Sequence, residues 1–174
     1  RNRGDGRFED VTAAAGLVQG EWAVGGAWLG YDADGRLDLF VVNYVQWSPE
    51  TSRFCGDQAR GIRVYCHPRF FAGLPNRLYR NLGGRGFRDM AKEARLDGVY
   101  ATMGSNFADF DGDGFLDIYL STGEPSIATL VPNRMFRNVA GRTFADITAA
   151  SGTGHLQKGH AVACGDWDRD GDQD

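Results

Sequence analysis

An all-β fold, organised as part of a β-propeller of four-stranded antiparallel blades, is what three observations in the sequence predict. One acidic, glycine-containing loop recurs three times. Each copy follows the same Phe at a constant distance. The segments between are short, and with 25 Gly among 174 residues they suit tight turns and closely approaching strands better than helices.

The loops carry the chemistry. Asp109, Asp111, Asp113, Gly114 and Asp117 form a D-x-D-x-D-G-x-x-D run, and Asp166, Asp168, Asp170, Gly171 and Asp174 repeat it. A weaker copy holds Asp32, Asp34, Gly35 and Asp38, with Gly30 where the first carboxylate belongs. Carboxylates on alternate residues, a Gly for the bend at the sixth position and an Asp at the ninth can wrap several oxygens around one hard cation, in the manner of calcium loops. A single such loop could be a solvated acidic turn, but copies in register argue for metal. An EF-hand is excluded because its twelfth position needs Glu, and here Leu120 and Val41 stand there.

The repeat extends beyond the loops. Asn, then Phe six residues on, then Asp recur as Asn2/Phe8/Asp10, Asn81/Phe87/Asp89 and Asn138/Phe144/Asp146, and each Phe precedes loop position one by 22 residues. Residues 75–81 (PNRLYRN) match residues 132–138 (PNRMFRN). Copies two and three are 57 residues apart and copies one and two 79 apart, so the extra 22 residues form an insertion between Asp38 and Asn81. Periods of this size indicate a solenoid, propeller or array.

Each element follows from this register. Strands are expected at 24–29 and 37–43 around the first loop, then at 76–81 and 86–90 joined by a Gly-containing turn. The next set is 104–109, 115–121, 133–138 and 142–148. In 115–121, Ile118 and Leu120 fall on one face against Asp117 and Tyr119 on the other. A further strand is expected at 159–165. The Ala-rich 12–17 and 148–151 can each form a helical turn. Residues 1–23 then read as the end of a blade and a connection, 24–92 as a blade with an insertion at 44–74, 101–148 as a second blade, and 159–174 as the start of a third. Propellers close with four or more blades, so the chain is expected to be part of one propeller domain, completed by further blades.

The net charge of −4 is local. Twelve Asp lie in the three loops, leaving 11 acids elsewhere against 17 of the 19 Lys and Arg, since Arg36 and Arg169 stand within the loops. Those cations are dispersed, no aromatic-interleaved RNA-binding motif is present, and no apolar run can span a membrane, so neither a nucleic-acid partner nor a transmembrane segment is expected.

Cys55 and Cys66 lie inside the insertion among Pro and Gly. A disulfide closing that loop is the economical reading, and it fits an oxidising compartment. The competing reading, a metal site of Cys55, Cys66 and His67, lacks a fourth ligand and short Cys spacing. Cys164 reads as a small apolar residue before a loop. His155 and His160 have no visible catalytic partners.

The 109–117 loop, the repeated N-R-[LM]-[YF]-R-N strand and the F-x-D segments resemble the FG-GAP/VCBS repeats of integrin-α-like β-propellers. Residues 65–68 (YCHP) followed by 74–81 (LPNRLYRN) are similar to bacterial ASPIC/UnbV-type proteins related to cartilage acidic protein. The resemblance implies a secreted, cell-surface or periplasmic propeller whose Ca²⁺ ions hold the first hairpin of each blade. It implies side-chain ligation by Asp109, Asp111, Asp113 and Asp117 with the Phe115 carbonyl at position seven. The same roles fall to Asp166, Asp168, Asp170 and Asp174 with the Asp172 carbonyl, and to a weaker site of Asp32, Asp34, Arg36 and Asp38.

Two function classes follow. One is a non-enzymatic calcium-binding extracellular module for adhesion, protein recognition or glycan recognition. The other is the scaffold of a secreted polysaccharide lyase or hydrolase with its catalytic residues elsewhere, since no Ser-His-Asp, Cys-His or H-E-x-x-H constellation is present. The insertion joins a second strand to a third and so is expected opposite the loops. Arg60, Arg63, Tyr65 and Phe70 are its candidate ligand contacts, against the alternative that its aromatics pack the insertion on its own blade.

Overall fold

The alternating apolar residues sort into two four-stranded antiparallel sheets in a computed structural model, which describes residues 1–17, 20–123 and 131–174. The first sheet orders β1 (Ala23–Leu29), β2 (Asp38–Asn43), β5 (Arg77–Asn81) and β6 (Phe87–Asp89). Between β2 and β5 the insertion contributes a small hairpin, β3 (Gly56–Asp57) with β4 (Ile62–Arg63). The second sheet orders β7 (Thr102–Ala108), β8 (Asp117–Thr122), β9 (Arg134–Val139) and β10 (Thr143–Asp146), followed by one helical turn, α1 (Thr148–Ser151). These are two consecutive blades of a β-propeller, each strand paired with the next in sequence order.

The blades face each other across one core. Phe40, Val42 and Leu78 of the first and Ile118, Leu120, Phe136 and Phe144 of the second are almost wholly buried. Burying each of these side chains contributes about 1.5–3 kcal/mol. Phe40 meets Phe107 edge-on at 5.6 Å between ring centres, and Tyr31 meets Phe144 at 6.3 Å. Phe144 is thus a buried joint to the preceding blade, whereas the Phe87 ring packs on Trp28 of its own sheet at 5.9 Å and Phe8 is 79% exposed.

A second joint repeats along the outer strands. The turns after Asp10, Asp89 and Asp146 begin alike, each Asp accepting the amide two residues on, at Thr12, Ala91 and Thr148. The first two turns then dock on the next blade. The Ala15 carbonyl accepts the Phe87 amide at 2.8 Å, and the Ala94 carbonyl accepts the Phe144 amide at 2.9 Å. The Arg of each repeated strand ties it sideways to the same Asp: Arg77 to Asp89 at 2.9 Å and Arg134 to Asp146 at 3.1 Å, with Arg77 also binding Glu21.

Eight of the nine expected strands form, with ends shifted by a few residues at most. The ninth, 159–165, does not form in this chain. In the other two copies the strand before the loop pairs with the strand after it; here Gly165 and Asp174 exchange backbone hydrogen bonds at 3.3 and 2.9 Å. Residues 12–16 make a turn rather than a helix, while 148–151 does form one helical turn, ended by Gly152 at φ +71°. Residues 124–130 of the expected 101–148 blade, and 18–19 of the 1–23 segment, lie outside the described residues. No helix among the described residues is long and apolar enough to cross a membrane.

Candidate metal centre

The loops join β1 to β2 and β7 to β8, and a third follows residue 165. All three adopt one backbone trace. Position six is in the left-handed region at Gly35, Gly114 and Gly171 (φ +82°, +90° and +102°), as the pattern requires. Position four is left-handed too, at Ala33, Gly112 and Arg169 (φ +54°, +70° and +63°). Sequence reading missed this, because Ala and Arg give no signal for that conformation.

The trace curls carboxylates inward. Asp109 accepts the amides of Asp113 and Gly114 at 3.1 and 2.8 Å, and Asp113 accepts that of Phe115 at 2.9 Å. Loop three repeats this arrangement: Asp166 accepts from Asp170 and Gly171, and Asp170 accepts from Asp172. One carboxylate oxygen from each of Asp109, Asp111 and Asp113 lies within 4.8 Å of the others, as do oxygens of Asp166, Asp168 and Asp174. No Lys or Arg among the described residues pairs with these six carboxylates. Negative groups so close repel unless a proton or cation lies between them, and an all-oxygen donor set suits a hard divalent cation.

Asp117 stands apart from the three-residue cluster of its loop. Its oxygens accept the amides of Phe110 at 3.1 Å and Asn138 at 2.7 Å, and it is 1% exposed. Burial raises its carboxyl above the usual range against the pull of those two amides, and the charges of Asp111 and Asp113 add to the rise. Asp38 holds the same place in loop one, accepting the Asn81 amide at 2.7 Å, and burial raises it likewise. Asp174 accepts the Trp167 amide at 2.9 Å. Position nine therefore closes the loop mechanically. The repeated Asn is the other half of the clasp: the Asn81 side chain donates to the Leu37 carbonyl and that of Asn138 to the Leu116 carbonyl.

Loop one differs in its electrostatics. Gly30 supplies no carboxylate, and the Asp34 amide donates to Asp32 at 3.2 Å, as the Asp170 amide does to Asp168 in loop three. Asp32 forms an ion pair with Arg80 at 2.7 Å and Asp34 one with Arg36 at 2.9 Å, with Arg80 also 3.6 Å from Asp34. The Asp32 carboxylate is only 7% exposed.

At the opposite end of the first blade the insertion leaves β2 and returns to β5. Cys55 and Cys66 are disulfide-bonded, which removes the Cys-Cys-His67 metal site; His67 instead caps a turn, accepting the Arg69 amide at 3.3 Å. A largely apolar cavity of about 590 Å³ opens here, with Trp22, Trp47, Val64, Tyr65 and Phe71 among its lining residues. Trp22 and Trp47 pack at 5.2 Å, so part of the aromatic content does hold the insertion to its blade. Of the candidate contacts, Arg63 and Tyr65 line the cavity and Arg60 and Phe70 lie outside it. Arg63 is bound to Ser52 at 2.8 Å, Arg60 faces Asp57 at 3.5 Å, and Phe70 lies under Arg53 and Arg69. The Tyr65 ring is fully exposed. Cys164 is half-buried, which raises its thiol, and His155 and His160 are exposed.

Residues 70–120 match the FG-GAP-like repeat family. The match begins in the insertion, runs through β5, β6 and β7, crosses loop two and ends in β8, so it covers one full register of the repeat with its acidic loop. No curated protein matches the chain.

Proposed function

We propose that the chain is a calcium-binding repeat module of an extracellular β-propeller, integrin-α-like in its blades and close to the ASPIC/UnbV group, that recognises a protein or glycan ligand. The convergence of three carboxylates in each of loops two and three, on one backbone trace and with no ion-paired Lys or Arg among the described residues, carries the calcium reading. Ca²⁺ bound there supplies positive charge at the hairpin between a blade's first two strands. Asp109, Asp111 and Asp113, with the Phe115 carbonyl and Asp117, hold it in loop two. Asp166, Asp168, Asp170 and Asp174 with the Asp172 carbonyl do so in loop three. The Cys55–Cys66 bond favours a secreted, cell-surface or periplasmic location.

In this reading the module is not itself catalytic; the loop end is structural and the insertion end meets the partner. The exposed Tyr65, beside a cavity lined by Trp47 and Arg63, offers the aromatic and Arg types that dominate recognition. The test pairs calcium-binding calorimetry of the intact protein with binding to glycan and matrix-protein arrays. A calcium isotherm abolished by Asp109→Ala with Asp166→Ala, and array binding lost when 47–71 is replaced by a short turn, support it. Equal heats with and without those substitutions, or array binding that survives loss of the insertion, refute the corresponding half.

A further inference from the structure

In loops two and three no Lys or Arg among the described residues pairs with the carboxylates, although Arg169 stands at position four of loop three, whereas loop one has lost a carboxylate and is paired with two guanidinium groups. We infer that in the first blade Arg80, aided by Arg36, stands where the other loops would hold a metal ion, so that this loop is closed by the protein's own cations.

The charges agree with this. Loop one offers Asp32, Asp34 and Asp38 against Arg36 and Arg80, while loop two offers Asp109, Asp111, Asp113 and Asp117 with no Arg or Lys at any of its positions. Arg36 occupies position seven, where the other copies have Phe115 and Asp172, so its guanidinium is particular to this loop. Arg80 has a counterpart in Arg137, at the same place in the next repeated strand. Arg137 forms no ion pair with loop two among the described residues, although it lines the same cavity as Asp111 and Asp117. Of these two equivalent arginines, Arg80, beside the loop with Gly at position one, is the one that closes on carboxylates.

Access to loop one is also restricted. The turn of the second blade lies directly over loop one: a Cβ on Gly141 would come within 2.9 Å of the Asp32 Cα. The Asp32 carboxylate is thus shielded by the neighbouring blade, and the Arg80 guanidinium is the positive group already in contact with it. A planar guanidinium is less strongly hydrated than a small divalent cation, so it can enter a partly enclosed ion pair at a smaller desolvation cost. Loop one thus offers one carboxylate fewer than loop two, and two of its three, Asp32 and Asp34, are already paired with guanidinium groups.

This inference rests on the calcium reading only for what loops two and three do. The intact protein and Asp32→Asn are each saturated with calcium, freed of excess ion and assayed for bound metal. The same number of ions per chain is expected in both, with a fall in melting midpoint for Asp32→Asn that is equal with and without chelator. Loss of one ion per chain, or a fall seen only in calcium, overturns the inference. Should Asp32→Asn fail to fold, anomalous scattering from terbium-soaked crystals of the unaltered protein decides. A peak among Asp32, Asp34 and Asp38 overturns it, and no peak there with Arg80 on Asp32 upholds it. Absence of ions from all three loops would end the calcium proposal and leave this one standing.

Discussion

The side-chain amide of Asn138 donates to the carbonyl of Tyr31 at 2.9 Å, joining the third strand of one blade to the acidic loop of the blade before it across 107 residues of sequence. The same amide group binds the Leu116 carbonyl of its own loop, and the side-chain oxygen accepts from Gly141. One buried Asn thus fixes a loop, a turn and the spacing of two blades.

Asn138→Ala should therefore be costly. It leaves two carbonyls and an amide without their partner at a site that is 1% exposed, and an unpaired buried group costs about 1–3 kcal/mol. We expect a loss of about 2–3 kcal/mol in denaturant unfolding of the intact protein. A change below about 0.5 kcal/mol, the size of an ordinary surface substitution, would show that the link carries no weight.

Calcium should raise the melting temperature, because it binds the folded loops and not the unfolded chain. The gain is about 2.7 kcal/mol per site at a hundredfold excess over Kd. Asp113→Ala should abolish that gain at loop two, while Asp34→Ala should leave the calcium-dependent part unchanged. Scanning calorimetry with and without chelator measures both, and identical curves for the parent protein would sink the calcium reading.

Gly114→Ala isolates backbone conformation from packing. No atom lies within 4 Å of where the new Cβ would sit, yet φ is +90°. The cost should be about 1–2 kcal/mol and purely conformational. Ala33→Gly, at φ +54°, should be close to neutral, since relief of strain offsets the greater freedom of the unfolded chain. Urea midpoints for the two variants should differ in this order; the reverse order contradicts the account.

Acid should weaken the link between β9 and β10. Burial raises the carboxyl of Asp146, but the hydrogen bonds from Thr148 and the charge of Arg134 outweigh it and hold it below its usual range. A depressed folded value means the stabilisation is fully present above the ordinary Asp value of 3.8 and is lost as pH falls through the lower folded value. Asp146→Asn should flatten the stability curve in that window and nowhere else. Unchanged slopes below pH 4 would refute the assignment.

Opening the Cys55–Cys66 bond should loosen the insertion more than the blades. The bond spans 11 residues, and closing so short a loop is worth about 3 kcal/mol or less. Cys55→Ala with Cys66→Ala should speed amide exchange at β3 and β4 while leaving β1, β2, β5 and β6 protected. Equal loss of protection in the blade sheet would show that the two are one cooperative unit.

Much of this architecture is legible in the sequence because it is written in backbone requirements. The Asp at position nine, the Gly at position six and the repeated Asn each answer a local hydrogen-bonding need, so their spacing survives from copy to copy. What could not be read depends on reach across the fold. Nothing near Arg80 in sequence says that its side chain will find Asp32. Nothing in Ala33 or Arg169 signals a left-handed residue, because the loop imposes it. The hairpin of β3 and β4 is only two residues deep on each side, too short for alternation to show. The 159–165 segment has strand-like residues, yet a strand is a property of a pair.

The insertion enters and leaves the first blade through a narrow neck. Tyr44 and Leu74, then Gln46 and Ala72, are hydrogen-bonded across it, with Val45 bridged to Gly73. Because the two ends leave side by side, chain length beyond the neck is uncoupled from the blade beneath. The position therefore works as a graft port: segments of different length and chemistry can be exchanged there without altering the geometry of the acidic loops at the far end. Length and chemistry can vary beyond that neck while the hydrogen-bonded clasp of each blade stays as it is.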